Sequence, residues 1–375
     1  MILDRDDAIY AANIFIDFFD DMNSIEDYMR SVKLERMSTF PTALPGFGLK
    51  DDFFDDFTMH PKDMDFEIKE MPLDIWSNYL DITSSHVNEN SIPGRKLIWT
   101  VYEKNTNKIV GFIRFGSPVI NSKPRNDFLG KPLDTYNPDV MKRFNDSTMM
   151  GFVIVPTQPF GFNYLGGKLL ASMCCSHFAR RSLNDKYNGT YCMFETTSLY
   201  GSSKSSSQYD GMKPFLRFKG LTQSDFAPMI NDARYRDLND FFKEKNDNKE
   251  LVKKDANSRK LKTHRIMTSV IKKSLKEIEP KLYDKFCKMY DDTKQLTEKK
   301  RFYISDYGYD NVKEYLNLET DKLKKKDNFD RYELENVIDW WKNKASTRYE
   351  NLKNDNRLRN ELEVWNENDN IDIIR

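Results

Sequence analysis

Residues 149–183 read MMGFVIVPTQPFGFNYLGGKLLASMCCSHFARRSL, and residues 191–222 read YCMFETTSLYGSSKSSSQYDGMKPFLRFKGLT. Residues 150–155 are a short apolar, β-branched run stopped by Pro156, the pattern of a buried strand. A loop holding Gly161, Gly166 and Gly167 follows. Residues 168–183 then carry Leu169, Leu170, Met173, Cys174, Phe178 and Ala179 at helical spacing. Residues 191–194 form a second apolar strand that ends on Glu195. Strand, glycine loop, helix and strand make one βαβ unit. Glycine lets a backbone approach an anion closely, and the first amides of a helix favour negative charge. The loop therefore reads either as a cradle for a phosphorylated cofactor or as a plain strand-to-helix turn with glycines for tight packing.

Upstream, LIWTVYE at 97–103 and IVGFIRFG at 109–116 flank the tight turn NTNK and predict a β-hairpin. Residues 70–85 look helical, anchored by Trp76, Tyr79 and Leu80, and residues 118–147 look loop-rich and basic. Residues 2–30 predict one amphipathic helix, with Ile9, Ala12, Ile14, Phe15, Phe18, Phe19 and Met22 as its apolar stripe and Asp6, Asp17, Asp20 and Asp21 among its polar positions. It is either a packing helix or an acidic guard over a basic groove. Residues 38–62 read as an irregular connection. After residue 230, Gly and Pro almost vanish; 232–300 and 310–365 read as charged helices, interrupted by RFYISDYGYDN at 301–311 as a strand or turn. The expected organisation is an acidic leader (1–70), a central domain (71–230) and a charged helical C-terminal domain (231–375). The expected fold class is α+β: a mixed central sheet with flanking helices, an acidic helical leader and a charged, mostly α-helical C-terminal region.

The 375 residues have zero formal net charge and a mean hydropathy of −0.73, but the charge is segregated. Residues 1–100 hold 20 Asp/Glu against 9 Lys/Arg, a net −11, whereas residues 101–220 hold 16 Lys/Arg against 8 Asp/Glu, a net +8. A basic centre suits a polyanionic partner, and equally a solvated surface with none. The four cysteines show no zinc spacing and read as free thiols in a reducing compartment. No run of 18 apolar residues occurs, so no membrane span is expected. The acidic start MILDRDDAIY is unlike a signal peptide, which makes a cytoplasmic location the expectation, the host cytoplasm if the chain is phage-encoded. No HExxH or paired CxxC motif appears, and no metal is expected.

Helix, hairpin, then strand–glycine loop–helix–strand resembles the core of the GNAT acyltransferase fold. PGRKLIWTVYEKNTNKIVGFIRFGSP at 93–118 resembles the early hairpin of Mom-type phage DNA-modification proteins, a GNAT branch, and ETTSLYGSSKSSSQYDGMKPFLRFKG at 195–220 resembles their later stretch. The DruA domain of Druantia phage defence has a similar arrangement, including an apolar strand ending in Pro before a long helix. The likeness covers about residues 76–222. It implies an acyl donor, acetyl-CoA or a related acyl-CoA, held by Gly161, Gly166, Gly167 and Lys168, with the amides of Val153, Ile154 and Val155 polarising the carbonyl. Two departures stand out. TQPFGFNYLGG carries aromatics and a proline in place of a loop rich in Arg, Gln and Gly, and the acid at the strand end is Glu195 rather than Asp.

Such a reaction needs a base and an acid. Glu195, where a buried strand meets a loop, is the candidate base, or else a salt-bridged carboxylate. Tyr209 is the candidate proton donor, or else a packed aromatic. Ser198 and Ser207 are further candidates, and His177 reads as a satisfied helix histidine. For a nucleic-acid partner, DNA foremost, Lys123 and Arg125 in the centre and Lys260, Lys262 and Arg265 in the basic run at 251–276 are the candidate phosphate ligands. The reading is a phage-related transferase that modifies DNA bases. Its alternatives are a non-catalytic nucleic-acid-binding protein with a degenerate core and a phage structural or assembly component. The oligomeric state stays open.

Overall fold

The computed structural model describes residues 1–38, 48–83, 94–199, 206–223, 226–256, 258–296 and 299–362. The chain divides into two compact units, both discontinuous: Met1–Thr39 with Ser224–Glu298, and Phe40–Gln223 with Lys299–Arg375. This corrects the expected division into three consecutive segments. The leader and part of the charged C-terminal region share one unit, and the rest of the C-terminal region belongs with the centre.

The larger unit is built on a seven-stranded mixed sheet, which establishes the α+β class. Its strands are β1 (Phe66–Glu70), β2 (Lys96–Glu103), β3 (Lys108–Gly116), β4 (Thr148–Pro156), β5 (Met193–Ser198), β6 (Arg217–Leu221) and β7 (Arg301–Ser305), in the spatial order β1-β2-β3-β4-β5-β7-β6. The predicted hairpin is β2–β3, with Glu103 opposite Lys108 across the turn. Only β4 and β5 run parallel, and a parallel pair requires a crossover, supplied here by helices Gly166–Cys174 and His177–Tyr187. Residues 165–183 are therefore not one helix. Ser176 has extended dihedrals and its hydroxyl accepts from the Ala179 amide at 3.2 Å, which ends one helix and caps the next. The β4–β5 ladder joins only Thr148–Gly151 to Met193–Thr196, although both strands run on beyond it. The stretch expected to be loop-rich, 118–147, contains helices Lys123–Leu129 and Pro138–Ser147.

Leu169, Leu170, Met173 and Cys174 pack with Ile113, Phe115, Ile154 and Phe194 in the main core. Alternation along the strands sends Ile98, Phe112 and Val153 to the opposite face, where Trp76, Tyr79, Leu80 and Ile82 of helix Leu73–Thr83 cover them. Helix Leu334–Asn354 packs on helix Gly166–Cys174 through the fully buried Trp341.

The smaller unit is all helical: Arg5–Phe19, Ile25–Met37, Asp232–Glu244, Arg259–Ile278 and Pro280–Lys294. The single helix expected over 2–30 breaks where Ser24 and Asp27 form a capping box. Ala8, Ala11, Ala12, Phe15, Ile16, Phe18 and Phe19 are buried against Leu238, Phe242, Met267, Ile271, Leu275 and Phe286. The leader is a core element of this unit. The guard reading fails because its contacts with those helices are mainly apolar, and, among the described residues, the one acid of helix Arg5–Phe19 that pairs with them, Asp7, meets Lys245 at 2.5 Å.

His264 lies in this core, 1% exposed and edge-on to Phe15. The Ile230 amide donates to Nε2 at 3.2 Å, so Nδ1 carries the proton and donates to the Lys260 carbonyl at 2.8 Å. Burial pushes its pKa down to about 4 from the usual 6.5. The unfolded chain thus takes up this proton first as pH falls. The stabilisation from neutral His264 is complete above about pH 6.5 and lost as pH drops towards 4. Hydrogen exchange of the Arg259–Ile278 amides, corrected for intrinsic rate, should accelerate across that window. The His264→Gln variant should lose this dependence.

Candidate functional site

Glu195 is fully buried on β5 and meets Arg125 of helix Lys123–Leu129 in a two-point ion pair: Arg125 Nε to Oε2 at 2.9 Å and Nη2 to Oε1 at 3.2 Å. The remaining guanidinium donors go to the carbonyls of Ile120, at 2.9 Å, and Val119. Burial raises the Glu195 pKa and the Arg125 charge opposes that rise. Arg125 is itself 0% exposed, so it offers nothing to a phosphate in solvent. The geometry casts Glu195 as an internal counter-ion and not as a free base.

Tyr209 lies on the other side of the sheet. Its hydroxyl is hydrogen-bonded to Thr196, whose own hydroxyl donates to the Gly151 carbonyl at 2.9 Å. Thr196 and Glu195 are adjacent on one strand and point to opposite faces. Glu195 and Tyr209 therefore do not line one cavity, which corrects their pairing as base and acid. Ser198, buried at the end of β5, shares the Thr196 face. Burial also lifts the Tyr209 hydroxyl far above its ordinary pKa.

What gathers beside Tyr209 is a polar cluster that sequence reasoning missed. Asp210 accepts from the Tyr303 hydroxyl at 2.9 Å, from Arg301 Nη2 at 3.2 Å and from the Ser207 amide at 2.9 Å. Lys168 Nζ donates to the carbonyls of Gln208, at 2.7 Å, and Asp210. Burial brings the Lys168 pKa down to about 8. Tyr303 and Arg301 come from β7, nearly a hundred residues downstream, and no local signal ties them to Asp210. Of the polar loop read at 200–207, residues 200–205 lie outside the described residues.

The glycine loop is filled by protein. A Cβ on Gly166 would come 2.7 Å from Cβ of both Pro156 and Phe160, and one on Gly167 would come 2.0 Å from Gln208 Oε1. Trp341 Nε1 donates to the carbonyls of Tyr164 at 2.9 Å and Leu165 at 3.2 Å, which fixes the turn from the side of helix Leu334–Asn354. Gly161 alone has room, its nearest Cβ neighbour being 3.6 Å away. Val153 and Ile154 are buried in the two cores and Val155 is half-buried. These residues do not fit a pyrophosphate cradle. The glycines serve close packing, the second of the two readings of the loop.

Cys174 and Cys175 are buried, and burial pushes the Cys175 thiol up to about 12, which keeps it from acting as a nucleophile at neutral pH. His177 is buried, with Nε2 3.0 Å from the Phe329 carbonyl. Among the described residues, no group of three His, Cys, Asp or Glu side chains is placed to hold a metal, and no helix is long and apolar enough to cross a membrane.

Of the basic candidates, Lys123 pairs with Asp127 at 2.6 Å, and Lys260 pairs with Asp232 at 2.6 Å while lying over the Tyr235 ring. Lys262 and Arg265 are exposed on helix Arg259–Ile278. Much of the central +8 is balanced in space by acids from elsewhere in the same unit: Arg143 by Asp321, Arg181 by Glu333, Arg217 by Asp306 and Lys186 by Glu70.

Residues 75–204 match the model of a family described as Druantia protein DruA. The match spans most of helix Leu73–Thr83, then β2 to β5 and the crossover between them. No curated protein and no solved structure matches the chain.

Removing one member of a buried ion pair strands its partner, at a cost of about 3–5 kcal/mol, whereas replacing both by apolar groups is close to neutral. Glu195→Gln should therefore lower the stability of the sheet unit by about 3 kcal/mol. The double change Glu195→Met with Arg125→Met should restore most of it. Urea unfolding followed by tryptophan fluorescence measures both. A free catalytic carboxylate would show neither the loss nor the rescue.

Proposed function

We propose that the protein binds nucleic acid in the conflict between phage and host, with a DruA-type domain joined to a helical unit that carries one strongly basic helix. The phage-defence association comes from the family match over residues 75–204. The nucleic-acid reading is carried by one observation, the outer face of helix Arg259–Ile278. Lys262, Arg265, Lys273 and Lys276 are exposed there and, among the described residues, make no ion pair. At helical periodicity they fall within an arc of about 80°, and Lys262 and Lys276 are about 21 Å apart along the axis. Four unpaired cations in a line suit a polyanion running past the helix, and such contacts act by releasing condensed counterions.

A second reading, a transferase acting on nucleic acid, is favoured by the end of the β4–β5 ladder at Gly151 and Thr196. Beside that opening, Lys168, Asp210 and Tyr303 form the polar cluster on the Tyr209 face. A lysine with a pKa of about 8 is mostly protonated near physiological pH but keeps a neutral fraction far larger than an ordinary lysine, which lets it move a proton. The donor stays unassigned, because residues 161–168 do not fit the pyrophosphate of an acyl-CoA.

In filter binding across a salt series, log affinity for duplex DNA should fall with log salt. Changing Lys262, Arg265, Lys273 and Lys276 to Gln should flatten that slope by up to about 3.6, at about 0.9 per phosphate contact. Absence of binding at low salt, or an unchanged slope, rejects the binding reading. For the transferase reading, nucleoside mass spectrometry on DNA from expressing cells should show a new base that disappears with Asp210→Asn. Ordinary base composition rejects it.

A further inference from the structure

Arg114 sits in the middle of β3, opposite Ile98 of β2 and Val153 of β4, and is 2% exposed. Its Nε and Nη1 are buried without a hydrogen-bond partner. Burial lowers its pKa, and among the described residues no carboxylate opposes that. Arginine stays protonated in proteins, so a full positive charge is held here without a counter-ion.

Among the described residues, the surroundings offer none. Arg114 and Gly116 share a face of β3, Gly116 is opposite Met150, and Met150 is in register with Glu195. Arg114 and Glu195 thus share one face of the sheet, but both Glu195 oxygens are taken by Arg125. Beside Arg114 on this face lie Ile98, Phe112 and Val153, all apolar, and Thr100, whose hydroxyl carries no charge. Of the two buried guanidiniums on this face, Arg125 has a carboxylate and Arg114 has none. Arg95 shows the contrast: it lines a surface depression of about 560 Å³ and is satisfied by Asp146 and the Tyr191 hydroxyl, both at 2.7 Å.

An uncompensated buried charge is among the most destabilising features a core can carry, and it persists where something outside the fold supplies the missing partner. We propose that Arg114 anchors a binding site for an oxyanion of a small ligand, a phosphate monoester or a carboxylate. At 2% exposure Arg114 is open to a terminal anionic group on a narrow ligand and not to the backbone of a duplex. The site is separate from the exposed helix face of the other unit and does not depend on it.

The four tryptophans among the described residues, Trp76, Trp99, Trp340 and Trp341, belong to the sheet unit, so their fluorescence follows the melting of that unit in the full-length protein. Sodium phosphate or sodium acetate, replacing chloride at constant ionic strength and pH, should raise the wild-type melting temperature. The rise should be about 3 °C with the probe at ten times its Kd. Arg114→Met should melt higher than wild type in chloride, because the unpaired charge is gone, and should not respond to either anion. Response to phosphate alone assigns a phosphate group, and response to acetate alone a carboxylate. If Arg114→Met does not fold, equilibrium dialysis of radiolabelled phosphate and acetate against wild type and Arg114→Lys replaces it, with one site expected in wild type and weaker binding in the variant. The proposal is overturned if neither anion stabilises or binds wild type, or if Arg114→Met responds as wild type does.

Discussion

Strand β5 can be stable only with both its edges paired. Met193 to Thr196 are buried, so every backbone donor and acceptor there must find a partner within the protein. One edge is met by β4 in parallel. The other is met by β7, which arrives about a hundred residues later in the chain, and β6 then pairs with β7 from outside. This requirement explains why both units are discontinuous. The β6–β7 pair is a hairpin in all but connection: Leu221 lies opposite Arg301, the Thr222 amide donates to the Lys300 carbonyl at 2.8 Å, and the Lys300 amide donates to the Thr222 hydroxyl at 2.9 Å. Where a turn of a few residues would suffice, the chain instead carries Ser224–Glu298 of the helical unit.

The same strand organises the charges. Glu195 draws Arg125 under the sheet, and Arg125 also holds the Val119 and Ile120 carbonyls, so helix Lys123–Leu129 is pinned by a single guanidinium. On the opposite face, Thr196 and Tyr303 lead to Asp210 and Lys168. One β-strand thus separates a closed ion pair from an open polar cluster. Net charge counted along the sequence obscures this, because the acids that balance the central arginines lie at Asp306, Asp321 and Glu333.

Strands that carry their own signal were legible: the 97–103 and 109–116 runs, 150–155, and the apolar approach to Glu195 all announce buried β-structure. FEIKE of β1 and RFKGL of β6 did not, because both are edge strands with largely exposed or half-buried side chains, and the partner confers their sheet membership. RFYIS was recognisable as strand or turn, but its position between β5 and β6 is a tertiary fact. The break at Ser176 was hidden in an apolar run by a single capping hydroxyl. The glycine loop misled for a physical reason: glycine lets any close neighbour in, and here the neighbours are Pro156, Phe160 and Gln208 rather than an anion. Partners distant in sequence, Arg125 with Glu195 and Tyr303 with Asp210, had no local signature.

The interleaving of the two units also sets an order of events at the ribosome. Helix Arg5–Phe19 emerges well before Asp232–Glu244, Arg259–Ile278 and Pro280–Lys294, which cover its phenylalanines and follow only after the first six strands of the sheet have been made. At about 5–20 residues per second, that is roughly 10–50 s during which an apolar helical face waits for its partner. The acidic residues on its other side, Asp6, Asp17 and Asp20 among them, are exposed. Their negative charge keeps the nascent segment soluble and repels other copies of itself through that interval. The acidic face of the leader thus has a use before the native helical unit exists as well as within it, where Asp7 pairs with Lys245.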